Sequence, residues 1–267
     1  MPEGDTVWLV ARNLDRAIGR APLVRADLRV PALATADLAG RTVLEVVPRG
    51  KHLLTRLEGS LTLHSHLRMD GMWHLYRSGT RWSGGPDHVV RAVLSTHDWD
   101  AVGYRVHDLA LVETAHEDEL VGHLGPDLLD PAFDRDEALR RLRDHPAREI
   151  GVALLDQRCL AGIGNVYKAE TLFARKVSPW TPVGDLDDAT LASVADTARR
   201  FLDANKAHAS QNTTGDTRRG HEHWVYGRAG RPCRRCGTTV AQKAQGEPPY
   251  DRVTAWCPTC QPGRPPT

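Results

Sequence analysis

Four of the five cysteines stand as Cys233-x-x-Cys236 and Cys257-x-x-Cys260, with twenty residues between the pairs. Two thiolates two residues apart can turn onto one ion, and two such knuckles complete a tetrahedral site. The spacing points to a zinc ribbon holding one structural ion, with no open position for chemistry. The alternative is a disulfide pair in an exported chain. The odd Cys159 opposes it, as does an opening, Met1-Pro2-Glu3-Gly4-Asp5, that lacks the basic-then-apolar order of a signal peptide. Cys159 itself reads as a small buried apolar residue. A second constellation is Leu160-Ala161-Gly162-Ile163-Gly164-Asn165. A Gly-rich turn opening a helix lets backbone N–H groups approach an anion, and Asn165 adds a donor; the alternative is a plain tight turn. The third is the N-terminus. Met before Pro is normally removed, which leaves Pro2 as a free secondary amine able to attack a sugar or carbonyl carbon and give an iminium. Glu3 beside it can shuttle protons. The ordinary alternative is a frayed terminus without chemistry.

These residues need elements to hold them. Val7, Val10, Ala11, Leu14, Ala17 and Ile18 recur at helical spacing, which predicts a helix over 5–18, capped by Asp5 or Thr6 and stopped by Gly19. From 23 to 113 the period becomes two. Val24, Ala26, Leu28 and Val30 alternate with polar residues, as do Leu61, Leu63, Ser65 and Leu67. Further β-like runs cover 42–47, 52–57, 89–95 and 102–112, a spacing that predicts a sandwich or barrel. Gly122 to Asp127 reads as a linker, after which helices are expected at 134–144, 147–157, 165–176 and 186–204. The stretch between the cysteine pairs contains Gly237 and the β-prone Val253-Thr254-Ala255-Trp256, which suits a hairpin.

Over 267 residues, 40% are apolar and 26% charged, so a disordered or low-complexity chain is excluded. No run of ten apolar residues occurs, so no membrane span is expected. The opening without a signal sequence makes a cytoplasmic protein the expectation. Net charge is +1, but it is unevenly spread: residues 216–267 carry 9 basic and 4 acidic side chains. A basic module on a neutral body suggests a polyanionic partner. Nothing in the sequence signals an obligate oligomer, so a monomer is expected.

Further blocks lie between these features. In order, the chain carries Met1-Pro2-Glu3-Gly4-Asp5-Thr6, Arg49-Gly50-Lys51-His52-Leu53-Leu54 and His66-Leu67-Arg68-Met69-Asp70-Gly71. Leu124-Gly125-Pro126-Asp127, Leu155-Asp156-Gln157 with Leu160 to Asn165, and Val225-Tyr226-Gly227-Arg228 follow before the cysteines. Together, over essentially the whole chain, they resemble the bifunctional DNA glycosylase/AP lyases of the formamidopyrimidine-DNA glycosylase and endonuclease VIII family. The resemblance implies an α+β multidomain protein. An N-terminal β-sandwich with an N-terminal helix would span 1–121, a helix-two-turns-helix domain 122–215 and a zinc finger 216–267, and the partner would be damaged double-stranded DNA.

By the same resemblance, Pro2 would attack C1′ of the damaged nucleotide, and Glu3 would move protons to and from the opening sugar and departing base. Lys51 would assist β-elimination or hold a phosphate. Asn165, with Gly164 beside it, would bind phosphate. Arg252, five residues before Cys257, would assist δ-elimination and grip the phosphate beside the lesion. Arg68 and Met69 would fill the gap left by the everted base, although a methionine filling the core is the bland alternative. A proline iminium has no nitrogen proton to lose and stays an electron sink, and an arginine forks onto phosphate oxygens. The opening Met1 to Asp5 is similar to the endonuclease VIII branch, so oxidized pyrimidines are the expected substrates. The chain lacks the Arg-Arg-Phe-Gly stretch of the purine branch, having Ala101-Val102-Gly103-Tyr104 instead. His66-Leu67-Arg68-Met69 is nearer the purine branch, and His123 stands where an arginine is often found. The loop Gln211 to Asp216, with Arg218 and Arg219, is a candidate cover for the everted base. The competing functions are a formamidopyrimidine/8-oxoguanine-type purine glycosylase and a catalytically inactive damaged-DNA-binding protein.

Overall fold

The computed structural model describes residues 2–264, so Met1, whose removal the sequence predicts, lies outside the described residues. The chain divides into two compact units, Met1–His123 and Leu124–Thr267. In the first, helix α1 (Gly4–Ile18) buries Val7, Ala11, Leu14 and Ile18 on one face. It ends at Gly19, whose N–H donates to the Asp15 carbonyl at 3.0 Å and where a Cβ would lie 2.3 Å from that oxygen. The Asp15 carboxylate also accepts from the Val46 N–H at 2.9 Å, which ties the helix to the neighbouring strand.

Eight strands follow: β1 (Arg25–Leu28), β2 (Val43–Arg49), β3 (His52–Leu57), β4 (Leu61–His66), β5 (Met72–Arg77), β6 (Val90–Ser95), β7 (Trp99–Tyr104) and β8 (Asp108–Glu113). They form two antiparallel sheets, ordered β1-β6-β7-β5 and β2-β3-β4-β8. Leu28, Trp73, Leu94 and Ala101 of the first sheet share a core with Val43, Val46, Leu53, Leu57 and Leu63 of the second and with the apolar face of α1. This is the expected sandwich with its helix; the faces that meet between the sheets are apolar, and Val90, Val93, Val102 and Tyr104 form a second buried cluster on the first sheet.

The short helix α2 (Asp118–Val121) closes the first unit, and α3 (Arg135–Arg143), α4 (Ile150–Ala153), α5 (Asn165–Ala174) and α6 (Asp188–Asn205) build the second. Asp134 caps α3 by accepting from the Glu137 N–H at 3.0 Å, and Asp187 caps α6 by accepting from the Thr190 N–H at 2.6 Å. Leu142, Ile150, Leu160, Tyr167, Leu172, Leu191, Val194 and Leu202 form the common core. The ribbon hairpin, β9 (Ala241–Gln245) and β10 (Arg252–Trp256), pairs antiparallel with Arg252 opposite Gln245. Cys233, Cys257, Cys260 and Val240 pack with Ala169 and Phe173 of α5, so the helices and the ribbon make one compact body. No helix among the described residues is long and apolar enough to cross a membrane.

Four local expectations change. Helix α1 starts at Gly4 with Glu3 at its N-cap, so neither Asp5 nor Thr6 caps it. The run 102–112 is two strands, β7 and β8, because Arg105 takes a positive φ of 52° and breaks the extension. The helix expected over 147–157 is only one turn, α4. Beyond it Asp156 accepts from the Arg158 backbone N–H at 3.0 Å and from the Arg148 guanidinium at 2.8 Å, and that turn replaces the helical bonds. Strand β5 lies where the sequence pattern marks no strand.

Candidate functional site

Pro2 and Glu3 lead directly into α1, which is anchored along its length in the sandwich core. The Val7 N–H donates to the Glu3 carbonyl at 3.0 Å, so the terminus is tied to the first helical turn. Glu3 occupies the N-cap position, yet its side chain makes no capping bond there, and the residue is fully buried. A frayed terminus is not what this geometry gives.

Lys51 sits in the two-residue connection between β2 and β3, where Arg49 pairs with His52. Gly50 supplies the positive φ of 58° that so tight a reversal needs. Arg68 and Met69 lie in the turn after β4. Met69 is 61% exposed and fills no core. The Arg68 guanidinium pairs with the Asp108 carboxylate on the neighbouring strand β8.

In the second unit the Gly-rich turn is pinned by Gln157. Its amide donates to the Ile163 carbonyl at 2.9 Å and accepts from the Gly162 N–H at 3.0 Å. Gly162 has a φ of 98°, which favours glycine, and Gly164 is the N-cap of α5. Asn165, the first residue of α5, donates from Nδ2 to the Val253 carbonyl at 2.8 Å. Val253 adjoins Arg252 on β10, so the turn and the ribbon strand meet. An amide nitrogen carries two protons, and the bond to Val253 uses one of them. Arg252 is half-buried and donates to the Asp251 carbonyl at 2.7 Å.

The four ribbon cysteines converge. Their sulfurs all lie within 4.8 Å of one another, with Cys233–Cys260 at 3.9 Å and Cys236–Cys257 at 3.5 Å. A regular tetrahedron of zinc–sulfur bonds has edges of about 3.8 Å, and a disulfide would need about 2.05 Å. The donor set therefore fits a bound metal ion. Burial and the neighbouring thiols push the Cys260 thiol up to about 12, a cost that a divalent cation among the four sulfurs would reverse.

Several polar groups went unnoticed in the sequence. Lys168 is fully buried in α5 and donates from Nζ to Thr254 Oγ1 at 2.5 Å, a second tie to β10. Glu170, also fully buried, accepts from the backbone N–H groups of Trp224, Val225 and Tyr226 at 2.8–2.9 Å and from the Thr213 hydroxyl. That carboxylate organizes the segment after the Gln211–Asp216 loop. The loop is itself bonded internally: Asn212 Oδ1 accepts from the N–H groups of Thr214 and Gly215, and Arg218 is paired with Asp216.

Beside Lys51, His52, His64 and His66 cluster across β3 and β4, with His52 Nδ1 2.7 Å from His64 Nε2 and the His52 and His66 rings 4.8 Å apart. Burial is the main cause that lowers His52 to about 3, with the charges of His66, His64, His123 and Arg68 adding to it. Burial and then the Arg68 cation lower His66 to about 4. In the unfolded chain these imidazoles take up protons near pH 6.5, whereas the folded ones resist protonation to about 3–4. The unfolded state therefore binds more protons between those limits, and stability must fall as pH drops below about 6.5. Urea unfolding at about pH 7.5 and about pH 5 should show this loss, and His52→Gln should reduce the difference. An unchanged difference in the variant would contradict the assignment.

Comparison with known proteins adds independent findings. Residues 1–124 match the formamidopyrimidine-DNA glycosylase N-terminal domain, and residues 124–215 match the formamidopyrimidine-DNA glycosylase H2TH domain. A protein of Streptomyces coelicolor named probable endonuclease 8 2 is 56% identical over 263 residues, covering 98% of this chain and 95% of its own. A Mycolicibacterium smegmatis protein named DNA-(apurinic or apyrimidinic site) lyase Nei2 is 44% identical, covering 98% and 99%. Among solved structures, Lactococcus lactis Fpg in complex with an oxidized pyrimidine containing DNA superposes with a TM-score of 0.81 at 25% identity, covering 98% of this chain and 100% of that one.

Proposed function

The chain belongs to the formamidopyrimidine-DNA glycosylase family, and on that premise we propose that it excises oxidized bases from double-stranded DNA and cuts the strand through β,δ-elimination. The observation that carries this reading is the anchored N-terminus, where Pro2 precedes a buried Glu3 on a helix fixed in the core. The Pro2 nitrogen attacks C1′ and the bond from C1′ to the base breaks. Glu3 moves the protons that the leaving base and the opening sugar require. The resulting iminium draws electrons from C2′, so a C2′ proton is lost and the 3′ phosphate leaves; a second elimination releases the 5′ phosphate. Lys51 assists the first elimination or holds a phosphate, and Arg252 assists the second while gripping the phosphate beside the lesion. Asn165 and Gly164 bind the backbone, and Arg68 and Met69 occupy the space vacated by the base. Cys233, Cys236, Cys257 and Cys260 hold one structural zinc ion, which keeps the ribbon folded and takes no part in the reaction.

The division of labour follows sequence bounds of 1–121 for the catalytic sandwich, 122–215 for the helical DNA-binding domain and 216–267 for the zinc finger. The protein acts as a monomer on DNA in the cytoplasm. Oxidized pyrimidines are the favoured substrates. Ala101, Val102 and Tyr104, standing where the purine branch carries Arg-Arg-Phe-Gly, are fully buried in β7, and the Tyr104 hydroxyl is turned to Tyr76, so none of the three is presented to the orphaned strand. Duplexes containing thymine glycol, dihydrouracil, hydroxycytosine or 8-oxoguanine test this preference. Faster excision of the three pyrimidines is expected, and efficient 8-oxoguanine release without pyrimidine activity would favour the purine-glycosylase alternative. Trapping on an abasic duplex with borohydride tests the enzyme itself. A covalent adduct is expected, and its absence in protein lacking Met1 would leave only an inactive lesion-binding protein.

A further inference from the structure

The turn that follows β4 is strained. Arg68 has a φ of 51°, in the left-handed region that a residue with a Cβ enters at a cost. Two bonds bracket it. The Gly71 N–H donates to the Leu67 carbonyl at 2.8 Å, and a Cβ at Gly71 would lie 2.5 Å from that same oxygen, so the turn closes as tightly as glycine permits. The Arg68 N–H donates to His66 Nδ1 at 3.0 Å. An imidazole nitrogen that accepts an N–H carries no proton, so His66 is neutral in this arrangement.

We infer that His66 is a positioning residue: its Nδ1 holds the Arg68 backbone in the left-handed conformation from which Met69 projects into solvent. The inference rests on the proposed gap-filling role of this turn and narrows it to one side chain. The Arg68 guanidinium is engaged by Asp108, the residue opposite His66 in the β4–β8 register, so the side chain presented to a gap in the base stack is Met69. The ring's surroundings suit the task. It lies against His52, within reach of the charges of Arg68, Asp108, His64 and Lys51, and burial with the Arg68 cation keeps it from taking up a proton until about pH 4. The acceptor therefore persists throughout the neutral range. The device is a rigid turn prepared before DNA arrives, so no ordering of the loop is required on binding.

Two substitutions separate the acceptor from the ring. His66→Leu removes the nitrogen, whereas His66→Asn retains an acceptor at nearly the same position. Hydrogen exchange of the Arg68 amide reads the bond directly and needs no activity. It should be slow in the parent and in His66→Asn and fast in His66→Leu. For excision from a duplex containing thymine glycol, kcat/KM should fall about tenfold in His66→Leu, the equivalent of one left-handed residue left unsupported. It should be restored in His66→Asn. Glycine adopts positive φ without help, so in an Arg68→Gly background His66→Leu should add little further loss. A fast-exchanging Arg68 amide in the parent overturns the inference. So does an equal loss in His66→Asn and His66→Leu, or an undiminished effect of His66→Leu in the Arg68→Gly background. The borohydride adduct of the parent protein with abasic DNA is scored in parallel. Its absence would remove the enzyme reading, while the exchange result would still decide whether His66 holds the turn.

Discussion

With one extra residue ahead of Pro2, the protein loses its borohydride-trapped adduct and at least about a thousandfold of its strand-cleaving activity, about 4 kcal/mol of barrier. The reason is electronic. A prolyl nitrogen joined to a preceding residue is an amide whose lone pair is delocalized into the carbonyl, and it cannot add to C1′. The fold gives little reason for an indirect effect. The helix begins at Gly4, its first turn is closed by the bond from the Val7 N–H to the Glu3 carbonyl, and its apolar core contacts start at Val7, while Pro2 itself is only half-buried ahead of the buried Glu3. Circular dichroism and the unfolding midpoint should therefore match the parent. An extended protein that still cleaves at the parent rate would exclude Pro2 as the nucleophile.

Stripping the zinc ion proposed for the four cysteines should have the second large effect. The ribbon is two five-residue strands whose small apolar cluster is completed by Ala169 and Phe173 of α5, so without the ion only that contact and the bonds from Asn165 and Lys168 hold it. Structural zinc contributes about 10–16 kcal/mol in comparable cysteine sites, so the metal-free ribbon should unfold. Its loss would remove Arg252, the proposed phosphate ligand, and release Asn165, whose amide is held by the Val253 carbonyl. Hydrogen bonds to charged groups are worth about 1.5–3 kcal/mol each, so two of them correspond to a drop in DNA affinity of about a hundredfold or more. Treatment with a strong chelator, followed by elemental analysis and a thiol titration showing four newly reactive cysteines, establishes the starting state. Unchanged DNA affinity in that state would contradict the role assigned to the ribbon.

The parts of this molecule that could be read in advance are those whose physics is local. The four cysteines declare their site by spacing, and the apolar period of 5–18 declares α1. The alternation in 61–67 declares β4 by its Leu61-Leu63 period, although Thr62 and His64 on the opposite face are buried as well. Strand β5 escaped because Met72-Trp73-His74-Leu75-Tyr76-Arg77 mixes aromatic and polar residues on both faces, and only Trp73 is buried. The break at Arg105 escaped because a positive φ on arginine carries no sequence mark. Long-range partners were equally invisible. Lys168 and Glu170, charged residues two apart in a helix, carry no sequence mark of burial, and both are buried because Thr254 and the Trp224–Tyr226 backbone come from far along the chain to meet them. The histidine cluster depends on the β3–β4 register, which sets His52 opposite His66. Neither His66 nor Gln157 announced that its side chain holds a turn, although a glutamine five residues before Gly162 was a usable hint.

The most direct test of the account is to locate the covalent bond. The protein is incubated with an abasic-site duplex in the presence of borohydride, digested with nuclease and protease, and the modified peptide is sequenced by mass spectrometry. One adduct is expected, on the nitrogen of Pro2, in a peptide from which Met1 is missing. An adduct on Lys51, or on a peptide that still carries Met1, would contradict it.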